Sequence, residues 1–263
     1  MTGQDVDPAT GLTPAELSEV FENNPRAYMA VRGAVAEKHL DKVVAQLVEE
    51  GAINDYRTAA GDHDKDFYLQ VNGVEVSLEC KNVEVIKTNT KAKKASYLRY
   101  LEDEKLLPSG HLESSFQAHG LEGKGIDDLS GKELDEMIKG LPQSSRESGM
   151  IKYQFSASKL EVPRVGEIAD DQFVRQFEGD PLTIDFQRTR NSTDKDGDAR
   201  RNRFYKHGEI DIVGACLFSR TLEWKFLFAK AEEFPKHDKY PDRFKNSLKL
   251  EPGVWVSDIR QLL

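Results

Sequence analysis

The chain has 263 residues, of which 38% are hydrophobic and 32% charged, and a net charge of −9. That length and apolar content can bury a sizeable core, either as one large domain or as a core with an inserted lobe. No apolar run approaches a membrane span, Cys80 and Cys216 form neither a disulfide framework nor a zinc spacing, and the histidines lack an HxxxH arrangement. The opening MTGQDVDPAT lacks the basic-then-apolar order of a secretory signal, so a cytoplasmic location is expected. The acidic balance argues against indiscriminate nucleic-acid binding but leaves binding through one basic surface open.

Residues 1–12 read as a loose tail. Thr13-Pro14-Ala15-Glu16 is a capping box with proline at the first helical position, and predicts a helix that ends near Asn23-Asn24-Pro25. A longer helix is predicted from Pro25 to Glu50, with Ala36, Leu40, Val43, Val44 and Leu47 as its apolar stripe and Gly51 as its stop. Glu37 lies at the edge of that stripe. Its neighbour one turn on, Asp41, carries the same charge, so no helical ion pair accounts for it, although a solvated face would also carry such a residue.

Asn72-Gly73 predicts a tight hairpin turn between Asp66–Val71 and a strand that begins at Val74 and runs to Ile86. With period two, Val74, Val76, Leu78 and Cys80 point to an apolar face, and Glu75, Ser77, Glu79 and Lys81 to a polar one. Asp66 on one arm and Glu79 on the other can meet across the hairpin and hold a hard divalent cation through oxygen. Lys81 shares the face of Glu79, where an ammonium can touch a water or a phosphate oxygen. Cys80 reads as a small core residue.

Asp66 followed by Glu79-Cys80-Lys81, within ECKNV and downstream of RGAVAEKHL, resembles the PD-(D/E)xK nuclease superfamily, type II restriction endonucleases in particular. Lys65 stands where the proline that names the motif is absent. The resemblance implies an α/β restriction-endonuclease-like core, a mixed central β-sheet flanked by helices. It also implies a site in which Asp66, Glu79 and the backbone carbonyl of Cys80 hold Mg²⁺, with Mn²⁺ as a substitute. In that site Lys81 is catalytic and Glu37 approaches the metal from the preceding helix. The implied activity is hydrolysis of double-stranded DNA at a short specific sequence, leaving 5′-phosphates, by a homodimer. A structure-selective repair or recombination nuclease of the same fold and a non-catalytic DNA-binding protein with a nuclease-like core are the alternatives.

Beyond the hairpin, KTNTKAKKASYLRYL contains Lys91, Lys93 and Lys94 with no acid among them, which suits contacts to a phosphate backbone as well as a solvated helix face. Residues from about 102 to 180 read as an inserted, mainly helical lobe, with a capping box at Ser130–Glu133 opening a helix through Ile138. The nuclease domain is thus expected over 13–263, with its core at 25–100 and 181–263. Pro181–Arg190 reads as a strand, followed by an arginine-rich turn segment. Gln187, Arg188, Arg190, Arg200, Arg201 and Arg203 are the candidate DNA contacts there, arginine being the usual bidentate reader of guanine. A flexible charged loop would have the same composition.

Strands are predicted at Glu209–Phe218 and Leu222–Ala229 around a turn at Ser219–Thr221, with a terminal helix from Ser257-Asp258. Asp211 and Glu223-Trp224-Lys225 repeat the acid and Glu-x-Lys formula. This second set competes with the first, and a single nuclease core has room for one of them.

Overall fold

A computed structural model describes residues 7, 9–61, 64–188, 198 and 200–263. Most of the expected tail, and Arg190, lie outside the described residues. In chain order the elements are α1 (Pro14–Asn23), α2 (Pro25–Glu49), β1 (Asp55–Thr58), β2 (Phe67–Val71) and β3 (Val74–Asn82). They continue with α3 (Lys91–Asp103), α4 (His111–Ala118), α5 (Gly131–Lys139), α6 (Gln143–Ser158), α7 (Asp170–Arg175) and β4 (Thr183–Asp185). The last are β5 (Ile212–Cys216), α8 (Phe218–Thr221), β6 (Phe226–Lys230) and β7 (Ser247–Lys249).

The chain divides into two compact units, one of residues 1–31 and 85–158, the other of 32–84 and 159–263. The helical unit therefore begins before residue 102, takes in the N-terminal helix and stops short of 180. Its core joins Tyr97, Leu98 and Leu101 of α3 to Leu134 and Met137 of α5 and Tyr153 of α6. The expected capping boxes are present: Thr13 Oγ1 accepts the Glu16 N–H, and Ser130 Oγ accepts the Glu133 N–H.

The second unit is α/β. Its mixed five-stranded sheet has the order β1-β2-β3-β5-β6, with β3 and β5 parallel and the other neighbours antiparallel. One core packs Ala36, Leu40 and Val44 of α2 with Leu69, Leu78 and Cys80. The other gathers Val213, Ala215 and Leu227 with Phe173 of α7, Phe186 and Tyr205. Gly51 closes α2 with φ +71°, the left-handed conformation that glycine adopts without steric cost.

Coverage of both faces corrects the sequence reading of β3. Ser77 and Glu79 were expected on an outward polar face, yet they are only 8% and 5% exposed. The reason is topological: β3 is an inner strand paired in parallel with β5, and parallel pairs are covered on both sides. Conversely Val74, assigned to the apolar face, is exposed at the hairpin tip.

Other boundaries move for local reasons. The strand expected over 181–190 is only Thr183–Asp185, and it pairs with β7 in a separate two-stranded sheet. β5 and β6 are shorter than expected because Phe218–Thr221 coils into a helical turn and Leu222 takes φ +59°. The terminal helix is a single 3₁₀ turn, Ile259–Gln261, capped by Asp258. Among the described residues, no helix is long and apolar enough to cross a membrane.

Candidate active site

The β2–β3 hairpin sets the site by its register. Asn72 and Gly73 both take positive φ, +50° and +83°, as a two-residue turn between right-twisted strands requires. The pairs that follow run from Val71↔Val74 to Phe67↔Leu78. Carried one step further, that register would set Asp66 across from Glu79. In an antiparallel ladder hydrogen-bonded and non-hydrogen-bonded pairs alternate, and opposite residues share a face. By the alternation of the ladder, that position would be a non-bonded one, in which side chains approach most closely.

The ladder changes character at this point. The Cys80 N–H, which faces β2, finds Asp66 Oδ2 at 2.7 Å. In extended backbone the N–H and C=O of one residue point to the same side, so the Cys80 carbonyl also faces Asp66. Its thiol lies in the core beside α2, and burial followed by the charge of Asp66 holds it well above the ordinary thiol range. The carbonyl, not a thiolate, is therefore what Cys80 can offer a hard cation.

Glu79 Oε1 accepts Lys81 Nζ at 2.7 Å and the Tyr205 hydroxyl. Lys81 also donates to the Tyr205 oxygen at 3.1 Å. Glu79 Oε2 is buried with no hydrogen-bond partner among the described residues. A buried carboxylate oxygen without a donor is costly unless something else satisfies it. Burial first, then the charge of Glu79, pushes the Asp66 carboxyl up to about 7, with Lys81 and the Cys80 N–H opposing. Burial pulls Lys81 down, but Glu79, Tyr205 and Asp66 outweigh it, and the ammonium titrates above its ordinary range. Glu37 on α2 is raised by burial and then by Glu79. The four predicted groups therefore share one electrostatic environment.

Tyr205 is the member that sequence reasoning missed. It is 4% exposed, and burial followed by Glu79 raises its phenol above the ordinary value. Arg188 Cζ, Lys65 Nζ and Lys81 Nζ lie 5.0, 5.3 and 5.4 Å from its ring centroid. Lys65, in the place of the motif's proline, is buried and reaches Glu209 Oε1 at 2.8 Å, and Arg188 pairs with the same oxygen. An aromatic pair, Phe204-Tyr205, embedded between Arg203 and Lys206 was the available signal, but no spacing rule ties it to the hairpin.

The remaining DNA candidates are dispersed. Lys91, Lys93 and Lys94 belong to the helical unit, where Lys94 pairs with Asp135 at 2.7 Å. In the α/β unit Arg201 pairs with Asp242 at 2.8 Å, Arg203 Nε donates to the Arg188 carbonyl at 3.3 Å and Gln187 donates to Asp185 at 2.9 Å. Arg200 is exposed.

The second acid set is not brought together. The β5–β6 register pairs Ile212 with Lys230 and Cys216 with Phe226, which puts Asp211 beyond one end of the strands and Glu223 beyond the other. At ~3.3 Å per residue the separation is on the order of 15 Å or more. Asp211 Oδ2 instead accepts the Ser77 N–H and hydroxyl at 2.8 and 2.7 Å, and Glu223 pairs with Arg164 at 3.1 Å.

Among the described residues no group of three or more His, Cys, Asp or Glu side chains is gathered closely enough to hold a metal. The set at the hairpin is two carboxylates and a carbonyl. That set fits Mg²⁺, which keeps several waters and takes one or two carboxylates together with substrate phosphate. The unsatisfied Glu79 Oε2 is the observation in its favour. No protein-family model, no curated protein and no solved structure matches the chain.

Proposed function

We propose that this protein is a Mg²⁺-dependent endonuclease of double-stranded DNA, built on a restriction-endonuclease-like core. The observation that carries the reading is the buried Glu79 Oε2, without a hydrogen-bond partner among the described residues, in a cluster where Glu79 raises the Asp66 carboxyl and its other oxygen holds Lys81. The order of a long helix, an antiparallel hairpin and a strand parallel to its second arm supports the same core. In this reading Asp66 and Glu79, with the Cys80 carbonyl, hold the ion. When bound, Mg²⁺ lowers the pKa of water and offsets charge on the phosphate.

The chain's own groups do the rest. Lys81, kept charged by its carboxylate neighbours, aims a cation at the non-bridging oxygen where negative charge develops. Glu37 adds a carboxylate at the margin, suited to a water-mediated contact. Arg188, Arg200, Arg201 and Arg203, with Gln187, lie on the segments that lead to Tyr205 and form the DNA-facing set. Arg188 and Arg201 already hold carboxylates, so binding a phosphate exchanges one anionic partner for another. A two-fold dimer cutting a short symmetric sequence and leaving 5′-phosphates completes the reading.

The test is digestion of phage-sized duplex DNA with and without Mg²⁺ by wild type and Lys81→Ala. Discrete fragments that need the metal and vanish with Lys81→Ala are expected. Cleavage confined to branched or flapped substrates would move the task to repair or recombination. No cleavage of any DNA by folded wild type would leave a DNA-binding protein without catalysis.

A further inference from the structure

Tyr205 is almost fully buried, and among the described residues its hydroxyl is the one non-charged side chain hydrogen-bonded within the cluster around Glu79. It donates to Glu79 Oε1 and accepts from Lys81 Nζ, joining the second carboxylate and the ammonium through a third side chain. With Oε1 committed to Tyr205 and Lys81, Oε2 is left as the free oxygen of that carboxylate. The ring itself is fixed: Phe186 packs 4.9 Å from it, centroid to centroid, and Arg188 and Lys65 lie against it. A phenol held this way gives Glu79 one orientation, and orientation of a ligand by its hydrogen-bond partner governs metal affinity.

We infer that Tyr205 is a positioning residue of the proposed nuclease site: it selects which Glu79 oxygen faces the metal and holds Lys81 at a set distance from it. The inference rests on the metal-dependent reading above and extends it to a residue outside the acid and Glu-x-Lys formula. It predicts a defect in metal binding and turnover rather than in DNA binding or folding. The ring contacts survive in Tyr205→Phe, which removes only the oxygen.

The experiment titrates Mn²⁺ calorimetrically into wild type, Tyr205→Phe and Glu79→Gln, without DNA, and then measures kcat and KM for duplex cleavage with Mg²⁺. Tyr205→Phe is expected to bind Mn²⁺ about 10-fold or more weakly and to lose kcat by a similar factor, with KM for DNA and melting temperature close to wild type. Mn²⁺ affinity and kcat within about twofold of wild type would overturn the inference while leaving the metal-dependent reading intact. A wild type that takes up no Mn²⁺ would overturn both. Should Tyr205→Phe melt too low to assay, 3,5-difluorotyrosine at position 205 keeps the packing and changes only the acidity of the donor. Mn²⁺ affinity shifted about threefold or more then supports the inference, and an unchanged affinity overturns it.

Discussion

Asp66 Oδ2 accepts the Cys80 backbone N–H at 2.7 Å, one step past the last ladder pair of the β2–β3 hairpin. A side chain thus takes the place of the next backbone acceptor. That bond ties the first carboxylate to β3, one residue from the second, whose charge raises it. Glu79 lies on an inner strand whose two faces are both covered, and this burial gives the pair its chemistry.

Burial of Asp66 beside Glu79 makes ionising both carboxylates costly. The Asp66 carboxyl stands at about 7 in the folded protein against an ordinary 3.8. Between those values the folded state binds the extra proton, so this group's stabilising contribution is full below the lower value and lost as pH rises through the upper one. Asp66→Asn keeps an oxygen for Cys80 and removes the charge. At about pH 8 the variant is expected to be more stable than wild type by on the order of 1–3 kcal/mol; the difference should narrow near pH 5 and close only below the ordinary 3.8. Calorimetric melts at the two pH values check this, and a gap that widens at low pH contradicts it.

Metal binding should act on the same pair with the opposite sign. On the proposed reading Mg²⁺ or Mn²⁺ binds only the folded state, in which Asp66 and Glu79 sit together, so melting temperature should rise with metal concentration at about pH 8. Near pH 5 the proton on Asp66 competes, and the rise should shrink. Glu79→Gln should abolish it. A metal-induced rise that persists in Glu79→Gln places the ion elsewhere.

Asp211 has a structural task. Its carboxylate takes both the N–H and the hydroxyl of Ser77, and the Asp211 N–H returns to Ser77 Oγ at 3.0 Å. Asp211→Ala leaves those donors partly buried and unpaired, at a cost of roughly 1–3 kcal/mol. Lys225→Ala, just before β6 and two strands away from β3 in the sheet, should leave cleavage unchanged. Urea unfolding and a digestion assay separate the two effects, and loss of cleavage with Lys225→Ala would reinstate the second acid set.

The hairpin turn is the third point of leverage. Gly73 has φ +83° with open space where a Cβ would stand, so Gly73→Ala strains the backbone without a clash. The expected loss is about 1–2 kcal/mol. Gly73→Asn, which tolerates the left-handed region better, should recover part of it. Equal melting temperatures for Gly73→Ala and wild type would show that the turn does not set the register.

Local signals in the sequence were enough for several of these features. Thr13 and Ser130 announced their helices because capping needs only neighbouring residues. Asn72-Gly73 announced the hairpin, and through a register of period two it put Asp66 across from Glu79. The restriction to a tight turn leaves little freedom in which residues oppose each other, so the central pair of the candidate site was readable from linear spacing alone.

Other features depend on contacts between residues distant in the chain. The parallel pairing of β3 with β5 joins segments more than a hundred residues apart, and it buries Glu79 where alternation alone suggested solvent. The β5–β6 register separates Asp211 from Glu223 although their spacing imitates the first site. Tyr205 enters the site across 126 residues, through packing against Phe186 and a hydrogen bond to Glu79 that no local pattern encodes. By itself, the sequence determined the capped helices, the hairpin and the two carboxylates it brings near each other, because turns, caps and strand alternation are local physics. Only the tertiary structure decided which carboxylates are buried, which acid pair is dispersed and which aromatic holds Glu79, because desolvation and long-range pairing arise when the sheet closes over them.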